Sequence, residues 1–487
     1  MKKQFRFISF IILFALLISF AVPYNFIVSA ANKKYLSLGD SIAAGYGLKN
    51  IPEERYSNLL TKELSKNGET YDLVDFAVDG MDSSDLLKQL SDSFNKELTS
   101  AVSSASVITV SIGGNNFLKP LTDIFMSSGA NNISNPGNIS INPEQIDESL
   151  ITFYLNALFT PGSKEYSNIA KAMDRACDQF KSDLDKIINI LGKNKNAKII
   201  FLTVYNPYKD FSKIKNFYDA TELYIGRIND IIKEKSKGNY IVSDAYTAFK
   251  NSTQQVVNAR LSQTNSNLDP HPNAAGHKLI YKTIAHSLGL SLYFDDMSSH
   301  AWAVEYVDDL YERLIILGTS AEKREFSPKA ELKNSDLAVL LARALKLKIE
   351  ASDVSDVKLP FSDTAKIQSY ALNSVKACYK AGLYDELYPT GNTYEFSPDK
   401  SARRIDVALM AAQLINKSKW PDKKPVYTDL NGVNEKYYPA LSTLYEYKIM
   451  EGMPDKTLRP FNGLTRAEVA AILWRILNSP ELSSVKK

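Results

Sequence analysis

Three short stretches of this 487-residue chain hold the residue types that acyl chemistry needs. "GDS" at 39–41 ends the apolar run "YLSL" (35–38) and leads into small residues. "GGNN" at 113–116 closes the run "VITVSIG" (107–113), and "DPHP" at 269–272 stands just before "NAAGHKLI". Gly80, in "DFAVDGMDSSDLL", lies past a further apolar run. A serine hydroxyl is a poor nucleophile until a base takes its proton and donors hold the oxyanion that forms. Ser41 is the candidate nucleophile and His271 the candidate base. The backbone N–H of Gly80 and an amide side chain of "GGNN" (Asn115 or Asn116) are candidate oxyanion donors. Asp269, two residues before His271, is the candidate orienting carboxylate, with Asp244 or a backbone carbonyl as alternatives.

Taken singly, each piece has a plainer reading. Gly-Asp-Ser can be a capped helix start, Gly80 a turn glycine and "GGNN" a polar loop. Of the four histidines, His277, His286 and His300 fall in helix-like or repeat segments, which leaves His271 best placed. No "HExxH" spacing or cysteine cluster accompanies them, so neither a metal site nor a cofactor is expected.

The elements that must position these residues form a regular pattern from 33 to about 290. Strand-like runs at 35–38, 71–78, 107–113, 198–205 and 239–244 alternate with helical periodicity at 56–66, 83–98, 166–192, 217–237 and 273–288. That alternation predicts an α/β domain with a parallel sheet between helices, whose sites lie at the carboxyl ends of strands. The Ser/Asn/Gly/Pro-rich stretch 118–165 interrupts the rhythm and reads as an inserted loop overhanging the pocket.

Lys2, Lys3 and Arg6 precede an apolar run from Phe7 to Val22, and "VSA" follows at 28–30, which predicts a secretory signal peptide cut after Ala30. The run is short for a membrane span, so none is expected in the mature form. Without those three basic residues the chain carries 55 basic and 55 acidic side chains, a balance that points away from nucleic acid. Cys177 and Cys378 are the two cysteines, so packing alone must hold the fold.

After about 293 an internal repeat appears. Phe294, Phe361 and Tyr427 align across three units, and each unit later carries a polar pentad before a helix: "LKNSD" (332–336), "ARRID" (402–406) and "LTRAE" (464–468). One unit is too small to bury its own core, so the three are expected to form one mainly helical body.

The blocks carrying Ser41, Gly80, Asn115 and His271, in that order, resemble those of the SGNH/GDSL hydrolase family over residues 33 to 290. The resemblance implies a flavodoxin-like α/β/α sandwich and hydrolysis of a carboxylic ester through an acyl-enzyme on Ser41, with the oxyanion held by the Ser41 and Gly80 backbone N–H groups and the Asn115 side chain. The family's acid usually lies three residues before the histidine, where this chain has Leu268, and Asp often follows the asparagine, where it has Asn116. The three repeats resemble S-layer homology domains, which implies non-covalent binding of secondary cell-wall polysaccharide. Trp302, Arg404 and Arg466 are the candidate contacts, since arginine forks pair with acidic groups and aromatic faces stack on sugars.

The expected organisation is a signal peptide at 1–30, a hydrolase domain at 31–292, and repeats at 293–355, 356–420 and 421–487. The expected protein is a secreted esterase held on the cell wall of a bacterium, of Gram-positive type, acting on a lipid or O-acylated glycan. Two rival readings are an O-acetyltransferase or deacetylase acting on wall glycans, and a surface scaffold with an inactive hydrolase domain.

Overall fold

The computed structural model describes residues 32–66, 68–127, 148–263, 266–320, 322–389 and 391–479. The signal peptide expected at 1–30 lies outside them, as does the middle of the expected insertion, 128–147. No helix among the described residues is long and apolar enough to cross a membrane.

Five strands form one parallel sheet: β1 (Lys33–Gly39), β2 (Tyr71–Asp75), β3 (Ala105–Ser111), β4 (Lys198–Leu202) and β5 (Ile241–Ser243). Their spatial order is β2-β1-β3-β4-β5. The chain runs outward from β1 to β2 and then returns to the other side of β1, so winding reverses between β1 and β3. A crevice opens at the carboxyl ends of strands where winding reverses. Leu36, Ile108 and Ile200, on the three inner strands, are fully buried because helices cover both faces.

Besides the single turn Ile51–Glu54, the α-helices of this domain are α1 (Ser41–Ala44), α2 (Tyr56–Leu64), α3 (Ser83–Ser91), α4 (Lys96–Ser104), α5 (Gly114–Ser127), α6 (Glu148–Phe159), α7 (Lys164–Leu191), α8 (Lys215–Ser236), α9 (Ala245–Asn251) and α10 (Ala274–Ser287). One group packs α2 against α10, and the other gathers α3, α5 and α8 around α7. Two expectations are corrected here. The helical run at 83–98 is two helices, because the Asn95 side chain accepts the Leu98 N–H at 3.0 Å and starts a new one. The stretch 118–165 is helical over 118–127 and 148–159, on either side of the polar residues that coloured its composition.

The second half packs one continuous core from Phe294 to Leu477, separate from that of the sheet domain. Its helices are α11 (Val304–Glu312), α12 (Asn334–Ala344), α13 (Ser369–Lys380), α14 (Arg404–Ala412), α15 (Tyr438–Glu446) and α16 (Arg466–Asn478). The aligned aromatics Phe294, Phe361 and Tyr427 are all buried in it. Two residues beyond each stands an aspartate whose carboxylate accepts a pair of adjacent backbone N–H groups. Asp296 takes Phe326 and Ser327, Asp363 takes Phe396 and Ser397, and Asp429 takes Leu458 and Arg459, all at 2.7–2.9 Å. Ser327, Ser397 and Arg459 each adopt a positive φ of 51–57°, and the charged clamp offsets the strain of that left-handed turn.

The pentads close these units into a ring. The Leu332 N–H donates to Leu464 O, Leu464 N–H to Ala402 O, and Ala402 N–H to Leu332 O, at 2.8–3.0 Å. Each unit thus donates to one neighbour and accepts from the other. At the junction with the sheet domain, buried Asp308 accepts from Ser291 Oγ, the Leu292 N–H and His286 Nε2.

Candidate active site

Ser41 stands at the turn from β1 into α1. Asp40 caps that one-turn helix, accepting the Ile42 N–H at 3.1 Å, and the Gly45 N–H closes it onto Ser41 O at 2.9 Å. Gly39 makes the approach possible: its φ is +133°, and a Cβ there would lie 2.0 Å from Ser111 O on β3. The Asp40 carboxyl is buried beneath the turn, and burial pushes it up to about 7 against the hydrogen bonds from Ile42 and Ser111 and the nearby His271.

His271 reaches this serine from a loop that no regular strand supports. Bridges pair Val257 with Pro272 and Arg260 with Asn267, and the Tyr205 hydroxyl donates to Pro270 O at 2.8 Å. Asn273 then caps α10 by accepting the Gly276 N–H. His271 Nε2 lies 2.9 Å from Ser41 Oγ, and His271 Nδ1 lies 2.5 Å from Asp269 Oδ1. A carboxylate accepts only, so Nδ1 carries the proton and Nε2 is free to receive the one on Ser41. Asp269 also accepts the His271 N–H and the Asn258 side-chain amide. Burial opposes ionisation of Asp269, but those hydrogen bonds outweigh it and hold the carboxyl below the usual range.

The structure therefore gathers Ser41, His271 and Asp269, at positions 230 and 2 residues apart along the chain. It sends the alternative Asp244 elsewhere, to cap α9 and accept from Thr203 Oγ1. Asn258 escaped the sequence reading because it sits in "QQVVNARLS", where no motif or periodicity marks it. Its backbone N–H donates to His271 O at 2.9 Å, so it holds the loop and the acid together.

Gly80 and Asn115 lie on the opposite wall. Gly80 has φ +76° and is exposed. Neither its N–H nor that of Ser41 has a hydrogen-bond partner among the described residues. Asn115 Nδ2 donates one proton to Met81 O at 2.9 Å, which leaves the second for a bound oxygen. Between the walls runs a narrow cleft of about 40 Å³, lined on its apolar side by Phe117, Leu118, Val204, Pro207 and Ile225. The Tyr46 ring, half exposed, lies against His271 with centroids 4.5 Å apart.

The family model described as GDSL-like lipase/acylhydrolase matches residues 37–279, and the S-layer homology domain model matches 293–333, 360–408 and 426–470. Residues 37–279 are a GDSL-like acylhydrolase domain, followed by three S-layer homology domains. Among curated relatives, this acylhydrolase is 29% identical over 192 residues to an endoglucanase of Bacillus sp. (strain KSM-635), a match over 38% of this chain and 19% of that protein. It is 28% identical over 162 residues to a cellulosome-anchoring protein of Acetivibrio thermocellus, over 32% of this chain and 34% of that one. The chain thus spans only a minor part of the curated relatives it matches. Among solved structures it is similar to the lipase Lip_vut3 from a goat rumen metagenome, at 21% identity over 53% of this chain and 97% of that one, with a TM-score of 0.35. The lipase/acylhydrolase of Enterococcus faecalis follows at 15% identity, 53% and 95% coverage and a TM-score of 0.30.

In the S-layer homology domains, Trp302 is about half exposed. Arg404 is buried at the start of α14 and paired with Glu468. Arg466, at the start of α16, donates to Phe326 O and Leu317 O and stacks on the Phe326 ring at 4.7 Å. No hydrogen bond, ion pair or ring contact joins these three residues among the described ones. Asn334, the equivalent residue of the first unit, donates to Phe396 O and Ser397 O.

Proposed function

We propose that this acylhydrolase cleaves short-chain carboxylic esters through an acyl-enzyme on Ser41, while bound at a bacterial cell wall. The observation that carries the reading is the continuous relay from Ser41 Oγ through the His271 ring to Asp269. Ser41 Oγ attacks the acyl carbonyl as His271 Nε2 takes its proton, and Asp269 steadies the resulting imidazolium. The Ser41 and Gly80 N–H groups and the Asn115 amide stabilise the oxyanion. The alkoxide leaves with the proton from His271. Water, deprotonated by the same ring, then attacks the acyl-enzyme and frees the acid. The narrow apolar cleft beside Ser41 favours an acyl group of a few carbons.

S-layer homology domains bind cell-wall polysaccharide, so the substrate expected at that location is an O-acylated wall glycan or a lipid ester. Secretion through the N-terminal signal and a Gram-positive wall belong to the same proposal. Ser41→Ala should reduce hydrolysis of a graded ester series to background, with the wild type fastest on two- to four-carbon acyl groups. Equal turnover by both proteins would reject the reading. Cosedimentation with purified walls, with and without residues 293–487, tests the anchor.

A further inference from the structure

Behind the oxyanion wall lies a buried carboxylate that the mechanism above does not use. Asp183, on α7, is 1% exposed and has no cationic partner among the described residues. Its Oδ2 accepts from Ser83 Oγ at 2.8 Å and Ser84 Oγ at 2.7 Å, and its Oδ1 accepts from Gln179 Nε2 at 2.8 Å. Removing a carboxylate from water is costly, and three neutral donors only partly repay it.

The two serines differ in what else they touch. Ser83 is fully buried, and its hydroxyl also accepts from Asn116 Nδ2 at 2.8 Å while its backbone N–H donates to Asn116 Oδ1 at 3.1 Å. Ser84 is exposed, and its hydroxyl serves Asp183 alone. Asn116 is the neighbour of Asn115, and Ser83 lies two residues past Met81, whose carbonyl receives the Asn115 amide. The hydrogen bonds therefore run in one direction. Because Asp183 only accepts, the Ser83 hydroxyl must give it a proton, and its lone pair is left facing Asn116. The Ser83 N–H, which can only donate, and the Ser83 hydroxyl, kept as an acceptor by Asp183, together hold both ends of the Asn116 amide, and with it the spacing between the Gly80 and Asn115 loops.

We infer that Asp183 is a positioning residue for the oxyanion hole, acting through Ser83 and Asn116 to hold the Gly80 and Asn115 donors at their working separation. The inference rests on the Ser41 mechanism proposed above. A misplacement of donors by a fraction of an ångström lowers kcat while leaving ground-state binding in place.

The experiment compares Ser83→Ala, Ser84→Ala and Asp183→Asn in the full chain. Active sites are counted with a fluorophosphonate, and kcat and KM are measured on a short-chain ester. Ser83→Ala loses the bonds to both Asp183 and Asn116, and Ser84→Ala only the one to Asp183, so Asp183→Asn decides: a purely structural Asp183 would lower the melting temperature and leave kcat per active site unchanged. The positioning role predicts a kcat loss of about 10- to 100-fold for Ser83→Ala with KM within about 3-fold. Ser84→Ala should keep kcat within about 2-fold. Asp183→Asn should fall between them, since its amide can still accept from the serines if Gln179 turns over. An Asp183→Asn kcat within about 2-fold of the wild type, or losses carried by KM, would overturn the inference. A wild type inert toward all esters would instead defeat the Ser41 mechanism itself.

Discussion

Asp40 and His277 are both buried near the nucleophile turn, and burial moves them in opposite directions. Asp40 is pushed up to about 7, whereas burial, with smaller help from Arg55 and His271, brings His277 down to about 3. Between the ordinary carboxyl value of 3.8 and about 7, the folded protein keeps a proton on Asp40 that the unfolded chain has lost. Stability therefore falls as pH rises through that window, by at most about 4 kcal/mol. Between about 3 and 6.5, the unfolded chain protonates His277 where the folded protein does not, so stability falls as pH drops. The two slopes oppose each other from about 4 to 6.5. Asp40→Asn, which keeps a good cap, should raise the melting temperature at pH 8 and match the wild type near pH 4. Parallel melting profiles for the two proteins across that range would show that the buried carboxyl carries no such cost. At the relay itself, Asp269→Ala should lower kcat by about 10²- to 10⁴-fold. Adding Leu268→Asp should not restore it, because Leu268 is exposed and its carbonyl is tied to the Tyr208 hydroxyl.

At the scale of elements, the ends of β1 and β3 were legible because buried parallel strands read as short apolar runs and a glycine closes each of these two, whereas β2 and β4 stop at Asp75 and Leu202, before the expected 78 and 205. Ser41 and Asn115 could be placed for that reason. Asp269 was legible only as a neighbour of His271, since the pairing of 256–260 with 267–272 leaves no period-two pattern. The helices α5 and α6 were missed because Pro120 and the polar residues 128–147 dominate the local composition, although Phe117, Leu118 and Leu121 recur at helical spacing. Asp183 was passed over as one of several acids on the amphipathic helix α7, although its spacing from Phe180 and Ile187 sets it on the buried face. The β1–β3 approach yields its own test. Gly39→Ala places a methyl group 2.0 Å from a backbone oxygen at φ +133°, so it should cost about 3 kcal/mol or more or prevent folding. Chemical denaturation measures that, and a near-wild-type midpoint would mean that the strands part easily.

For the whole molecule, two separate cores meet where Asp308 accepts from His286 and Lys282 pairs with Glu312, so the acylhydrolase domain and the S-layer homology domains pack as neighbours. Each aspartate clamp holds a turn inside its own S-layer homology unit, and the backbone ring ties the first unit to the third as it ties it to the second. Asp363→Ala removes acceptors from two backbone N–H groups, one of them buried, and should cost about 2–4 kcal/mol. The loss should appear throughout residues 294–477 and not in the second unit alone, as hydrogen exchange would report. Protection lost only around 361–415 would show that the units are independent.

If the chain is held at a wall as proposed, shear in the surrounding fluid loads it along its backbone. In an open row of repeats, tension would peel one unit after another from the free end. Here α16 packs on α11, Arg313 reaches Asn478 at 3.1 Å, and the last pentad is bonded to the first, so the anchor offers no loose edge where peeling can begin. Stretched from its two ends, it should hold its full length and then give way in a single rupture.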